Sequence, residues 1–340
     1  MDGACPRRDR PNVRRPRSCS ASCLGSGGSL AEHPDHAPQL QWTRGRGRGL
    51  NGVSMAFRVI VGYDGSDDGV RALEYACGQV VVRQGELVII HAVDDTVMRS
   101  AWSVVVDESS YKKAAIKMLT EACATARDMG VADEDIDAEI VMGHPSTAMI
   151  RLSNEADLVV VGRRSSASSD RLYVGSTGTA AATQASCPVI MVSQEDEIVG
   201  VGGTVGLAVD YADPANAAIE WALTEAARVE SRLRVMSIVR RPSRRFFGGS
   251  EVSAETQASV VEEARRRLVE IVAPLASVHP GLEVEYDVTY GDPGETLVAA
   301  SATLHLLVIG LMSTWTTRAV GGVARAVMTH AHCPVALIHS

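Results

Sequence analysis

Short apolar runs alternate with amphipathic stretches along most of the chain. FRVIVG (57–62), ELVIIHA (86–92), DAEIVM (137–142), DLVVVG (157–162) and PVIMVS (188–193) are apolar at nearly every position. That pattern suits parallel strands buried on both faces. Stretches with helical spacing lie between them, at 67–83, 109–129, 146–154 and 176–185. The alternation then returns, with strands predicted at 204–209, 233–238, 283–289, 304–309 and 334–339. Its helices fall near 214–230, 252–273, 294–302 and 322–331. Alternating strand and helix with right-handed crossovers predicts an α/β fold of three layers, a doubly wound parallel sheet.

The second half is a copy of the first. Asp64 and Asp210 each end an apolar run, 146 residues apart, and Cys187-Pro188-Val189 recurs at the same offset as Cys333-Pro334-Val335. Gly175 and Gly321 share that offset, whereas Gly143 pairs with Gly291, and Gly162 with Gly310, at 148. The predicted organisation is an extension (1–54), a first domain (55–194) and a second domain (204–340), the two domains being joined by a polar, glycine-rich stretch. Residues 1–54 are rich in Arg, Ser, Gly and Pro, lack hydrophobic periodicity and are expected not to fold alone.

Charge separates these parts. Residues 1–54 carry nine arginines against four acids, a net of +5, which leaves −13 of the total −8 on the remainder. So acidic a body disfavours nucleic acid as a partner, since phosphate contacts need clustered positive charge. No apolar run reaches the 18 or so residues a membrane span requires. Seven scattered cysteines in 340 residues do not make a disulfide scaffold, so a cytoplasmic setting is expected. Only three of the 33 basic residues are lysines (Lys112, Lys113 and Lys117), which reads as coding bias toward arginine.

In an open α/β sheet, ligands bind beyond the carboxyl ends of the strands, where the strand order reverses. Asp64, Gly143 and Gly162 follow the first, third and fourth predicted strands. Should the first and fourth be neighbours, Asp64 and Gly162 face one crevice, and the carboxylate can accept hydrogen bonds from a ribose hydroxyl or an adenine amine. Gly175-Ser176-Thr177 opens a helix, whose free N–H groups and positive dipole end suit a phosphate. Arg163 and Arg164 are placed to neutralise phosphate charge. Taken singly, these residues are also ordinary turn and cap chemistry. Their joint arrangement favours a ligand.

On these residues the chain resembles the universal stress protein family, and its tandem layout resembles that family's two-domain bacterial members. ATP-binding members carry Gly, two residues, Gly, nine residues, then Gly-Ser or Gly-Thr. Here Gly162, Ser165 and Gly175-Ser176 keep the spacing, with Ser165 replacing the second glycine. If that position needs positive φ, serine costs roughly 1 kcal/mol. The resemblance also rests on the start from Val59 to Ser66, on Gly143-His144-Pro145 and on the closing CPV strands. It implies two five-stranded parallel sheets of order 3-2-1-4-5. It places Asp64 near base and ribose, the backbone at Val93 near the adenine, and Gly162, Arg163, Gly175, Ser176 and Thr177 around ribose and phosphates. It further implies ATP, with or without Mg²⁺, as the bound nucleotide and a role in stress regulation. The final strands, 188–193 and 334–339, are expected to pair as an intramolecular pseudo-dimer, with homodimerisation a further option.

The second copy departs from the pattern. Gly310 is followed by Leu311, Met312 and Ser313, the loop is two residues shorter, and Gly322 stands where a hydroxyl should be. It is expected to bind nucleotide weakly or not at all. His305 replaces Asp157. His330, His332 and Cys333 read as structural rather than as metal ligands, since neighbours one apart on a helix do not share a face. The loop 240–247, with four arginines and two phenylalanines, and its counterpart 94–107, with Met98 and Trp102, are expected to overhang the crevices. No Walker loop, nucleophile elbow, HExxH motif or CxxC pair is present. The reading is therefore an ATP-binding regulator with at most weak ATP hydrolysis. The alternatives are a weak ATPase or nucleotidyl-transfer enzyme and a nucleotide-free scaffold.

Overall fold

The computed structural model describes residues 56–93, 108–164, 174–198, 202–241, 253–311 and 320–339. The extension, the segment 94–107, Ser165 and the arginine–phenylalanine loop beyond Arg241 lie outside the described residues.

The first copy forms β1 (Arg58–Gly62), α1 (Asp67–Arg83), β2 (Glu86–Val93), α2 (Glu108–Asp128), β3 (Ile136–Met142), α3 (Pro145–Leu152), β4 (Leu158–Gly162), α4 (Ser176–Gln184) and β5 (Val189–Val192). The second forms β6 (Thr204–Ala208), α5 (Asn216–Arg228), β7 (Arg232–Arg240), α6 (Ala254–Ala276), β8 (Val284–Gly291), α7 (Pro293–Ser301), β9 (Leu306–Leu311), α8 (Gly322–His330) and β10 (Val335–His339). Local chemistry sets several ends. Ser66 caps α1 by accepting from the Gly69 amide, Asp67 and Asp68 follow in its first turn, and Gln84 closes the helix at φ 51°. Prolines open α3 and α7, where a missing N–H costs nothing. The helix predicted near 252–273 runs on through Pro274 to Ala276; in the last turn one lost backbone bond is tolerated.

Each copy is a parallel half-sheet. The two halves merge into one ten-stranded sheet of order β3-β2-β1-β4-β5-β10-β9-β6-β7-β8. The order 3-2-1-4-5 therefore holds in both halves. The seam is the expected pairing of final strands, antiparallel, with Ala336 opposite Ile190 and Val335 opposite Met191. Successive strand residues point to opposite faces. Val59, Val61, Val160 and Ile190 pack under α1, and Val205, Leu207, Val308 and Ala336 continue that layer beneath α5. Ile60, Val159, Val161 and Met191 pack on the other face with Leu307, Val335 and Leu337, against α3, α4 and α8. Both apolar layers cross the seam without interruption, so the two copies share their core.

The antiparallel seam also fixes which ends meet. The carboxyl ends of β1–β5 lie along the same margin of the sheet as the amino ends of β6–β10. The residues entering β10 therefore stand beside the residues leaving β4 and β5.

Candidate nucleotide site at the carboxyl ends of β1 and β4

β1 and β4 are direct neighbours, with Ile60 opposite Val159. The strand order thus reverses between them, as a crevice requires. Beyond β1 the chain turns at Gly65, φ +73°. Asp64 Oδ1 accepts the Ser66 amide at 3.0 Å and the Ser66 hydroxyl at 2.5 Å, a local Asx turn that hands the chain to α1. The backbones are close here. A Cβ at Gly69 would stand 2.8 Å from Asp64 Oδ1, and one at Gly162 would stand 3.0 Å from the Asp68 backbone. Glycine at 162 therefore brings the end of β4 against the first turn of α1.

Val93 and Gly143 meet on the far side, where the Gly143 amide donates to the Val93 carbonyl at 2.8 Å. The Val93 side chain is buried, and Gly143 adopts φ +119°, which an L side chain resists. Beneath this rim, buried His91 has Nδ1 3.0 Å from the Tyr63 carbonyl and Nε2 3.4 Å from the Tyr111 hydroxyl. Burial, reinforced by Glu121 and Asp64, raises the Tyr63 phenol above its ordinary pKa.

The two described ends of the stretch between β4 and α4 meet. The Gly175 amide donates to the Arg163 carbonyl at 2.7 Å, and the Gly175 carbonyl accepts from Thr179 at 3.0 Å. Gly175 is the N-cap and makes no side-chain cap bond, so among the described residues the first turn of the helix begun by Ser176 and Thr177 is not capped by its N-cap side chain. Asp64, Gly162, Gly175, Ser176 and Thr177 are thereby placed on one margin of the sheet, with Val93 at the end of the adjacent β2 and Gly143 just beyond β3.

The two arginines do something other than what their position in the sequence suggests. Arg163 is 5% exposed, and its guanidinium donates to the carbonyls of Ala331 and Cys333 in the second copy. Its Nη2 lies 3.3 Å from Asp196 Oδ2. Arg164 donates Nε to Asp68 at 3.1 Å and Nη2 to the Ser193 hydroxyl at 2.7 Å. In this structure both side chains are engaged by carboxylates, carbonyls and a hydroxyl, and Arg163 also contributes its backbone carbonyl to the Gly175 bond. Adjacent strands are about 4.8 Å apart, so an extended arginine at the end of β4 spans β5 and reaches the start of β10.

Asp68 and Asp196 organise this region. Asp68, 4% exposed, accepts from the Arg164 side chain and amide and from the Gln194 amide at 2.9 Å. Asp196 accepts the Ser193 amide at 2.8 Å, and its carbonyl receives two bonds from Arg71. Burial pushes the Asp196 carboxyl above its ordinary pKa, with Arg163 opposing. Arg163 Nε and Asp196 Oδ1 are buried without a partner among the described residues. A cavity of about 270 Å³ adjoins them, lined in part by Arg163, Arg164, Ser193, His330 and His332. Asp68 had one signal in the sequence: the equivalent position in the second copy is Pro214, which cannot play its role. Asp196 lies in the joining stretch and had none.

In the second copy the Asx turn persists, with Ala212 donating to Asp210 Oδ1 at 3.0 Å. A Cβ at Gly310 would stand 2.3 Å from the Ala215 Cβ, and Gly321 caps α8 with no side-chain bond. His305 takes over from Asp157: its Nδ1 accepts the Thr204 amide at 3.1 Å, where Asp157 accepts that of Arg58 at 2.8 Å. Among the described residues no three His, Cys, Asp or Glu side chains gather as a metal set, and no helix is long and apolar enough to cross a membrane.

Comparison with known proteins agrees with this architecture. The model of the universal stress protein family matches twice, at residues 55–193 and 203–339. A universal stress protein of Mycobacterium tuberculosis (strain H37Rv) is 25% identical over 290 residues, covering 82% of this chain and 95% of that one. A universal stress protein of Bacillus subtilis is 29% identical over 147 residues, which is 40% of this chain and 97% of that one. The crystal structure of a universal stress protein from Archaeoglobus fulgidus matches with a TM-score of 0.60 at 17% identity, covering 84% of this chain and 97% of that one. At that identity the likeness is one of fold. The duplicated doubly wound halves and the two family matches establish that the chain belongs to the universal stress protein family, as a tandem member.

Proposed function

We propose that this protein is an adenine-nucleotide-binding regulator that holds one nucleotide at the β1/β4 switch point of its first repeat. Base and ribose lie against Asp64, Val93 and Gly143, and the phosphates against Gly162, Gly175, Ser176 and Thr177. The observation that carries this reading is the Arg163–Gly175 closure, which brings a helix N-terminus back to the end of β4 beside Asp64. Backbone amides and the helix dipole then supply the phosphate contacts without a positioned arginine. ATP is the favoured nucleotide, on the spacing shared with the family's ATP-binding members, with Mg²⁺ as an optional companion. The second repeat binds nucleotide weakly or not at all, because Gly322 stands where Ser176 supplies a hydroxyl in the first.

One observation favours a second reading. Arg163 and Arg164 are both consumed by structural partners, which suits a nucleotide-free scaffold. Calorimetry of the full chain with ATP, with and without Mg²⁺, decides between them. The regulator binds one equivalent, and replacing Ser176 and Thr177 by alanine weakens binding about tenfold or more for the lost hydroxyl bonds. No heat at millimolar ATP leaves the scaffold.

A further inference from the structure

We propose that Arg163 is a positioning residue through which the second repeat holds the nucleotide site of the first in its closed arrangement. The inference rests on the reading of that site given above. Its material is the pairing of two roles in one residue. The backbone of Arg163 anchors both neighbours of the site: its amide donates to Val192 at 2.9 Å, and its carbonyl accepts Gly175 at 2.7 Å. The side chain anchors in the other repeat, on the carbonyls of Ala331 and Cys333.

Those carbonyls are well chosen. Ala331 is the C-cap residue of α8, where the last carbonyls lack helical partners and carry partial negative charge. A guanidinium there is a helix C-cap supplied from the opposite repeat. Asp196 backs the guanidinium from the joining stretch, and Arg71 ties the Asp196 carbonyl to α1 with bonds of 2.6 and 2.9 Å. The Arg163 backbone therefore cannot shift without disturbing contacts on both sides of the seam.

The device works in one direction. By the repeat offset, the counterpart of Arg163 is Leu311, which has no cation to offer the Ala185–Cys187 carbonyls. The second repeat steadies the first repeat's site without a guanidinium from Leu311 in return. This gives the degenerate repeat a function: it is the fixed wall against which the closure between β4 and α4 is set.

Full-length Arg163→Leu, Arg163→Lys and Asp196→Asn proteins test this. Hydrogen exchange resolved at Gly175 and Thr179, without nucleotide, is the first readout. Removing the guanidinium is expected to speed exchange there about tenfold, with the α1 amides at 72–80 unchanged. Lysine, which keeps charge but not the fork, restores part of the protection. The second readout is affinity for ATP, expected to fall about tenfold in Arg163→Leu. The third is nucleotide-induced protection of residues 331–335, present in the wild type and lost in that variant. Unchanged exchange at Gly175 and Thr179 in Arg163→Leu overturns the proposal and leaves Arg163 as an interface pin only. Should Arg163→Leu fail to fold, Asp196→Asn decides in its place, with exchange about threefold faster expected and no change overturning. Absence of ATP binding by the wild type refutes the function proposed above, while the nucleotide-free exchange still judges the positioning role.

Discussion

Replacing Glu225 by alanine should be among the costliest single changes in the protein. Glu225 on α5 receives Arg83 of α1 at 2.6 Å, across the two repeats, with the side chains 2% and 5% exposed. Arg83 also lies over the Phe57 ring, 4.2 Å from its centroid, and donates to Gln79 at 3.0 Å. A pair so enclosed interacts on the order of 4 kcal/mol at an effective dielectric constant of about 20. Removing the carboxylate leaves Arg83 buried and uncompensated, for which about 3–5 kcal/mol is the usual penalty. Arg228, the second partner of Glu225 at 2.7 Å, is 34% exposed and can turn to water, so its loss adds little. Glu225→Gln, which keeps an acceptor, should cost less, about 2 kcal/mol. The double variant Arg83→Met/Glu225→Leu should recover to within about 1 kcal/mol of wild type. Urea unfolding followed by far-ultraviolet dichroism and by the fluorescence of Trp221, which packs beside the pair's apolar layer, reads all four proteins. A cost below about 1 kcal/mol for Glu225→Ala, or a double variant no more stable than Glu225→Ala, would refute the reasoning.

Three other expectations follow from single residues. Gly143→Ala has room, since nothing lies within 4 Å of the added Cβ, yet φ +119° is strained for alanine; thermal unfolding should register a loss of about 1–2 kcal/mol. Burial pushes the thiols of Cys77, Cys187 and Cys333 up to about 12, so at pH 8 only about one in ten thousand is thiolate. Peptide-mapped alkylation should leave these three unmodified until the protein unfolds. For Asp196, the folded state holds the carboxyl proton more tightly than the unfolded chain does, because burial raises its pKa above the ordinary 3.8. The protonated form's contribution is complete below the unfolded value and is lost as pH rises through the folded one. As pH rises above about 4, wild type should therefore lose stability more steeply than Asp196→Asn, whatever their absolute difference. The opposite slope in paired denaturation curves would mean that attraction to Arg163 outweighs burial.

The inner strands were legible because burial on both faces writes them as apolar runs, whereas the edge strands β3 and β8 are half-exposed and more mixed; the return of the pattern at two offsets spelled out the duplication. Glycines 143 and 162 were legible for their backbone demands, a positive φ and a close approach to Asp68. The arginines were not. Nothing local distinguishes a guanidinium aimed at a phosphate from one aimed at the next repeat's carbonyls, and the choice is made by the antiparallel seam. The partners of Asp68 were hidden for the same reason: Arg164 and Gln194 lie 96 and 126 residues from it along the chain. The His305 substitution was visible as a difference, but its meaning, one acceptor replacing another at the start of a strand, required the cross-strand geometry.

The most direct test is the nucleotide stoichiometry of the full-length chain, measured by native mass spectrometry in the presence of ATP. One bound adenine nucleotide per chain, with occupancy reduced on replacing Ser176 and Thr177 by alanine and kept on replacing Ser313 by alanine, is the predicted result. No bound nucleotide would contradict the proposed site, and two per chain would contradict the division of labour between the repeats.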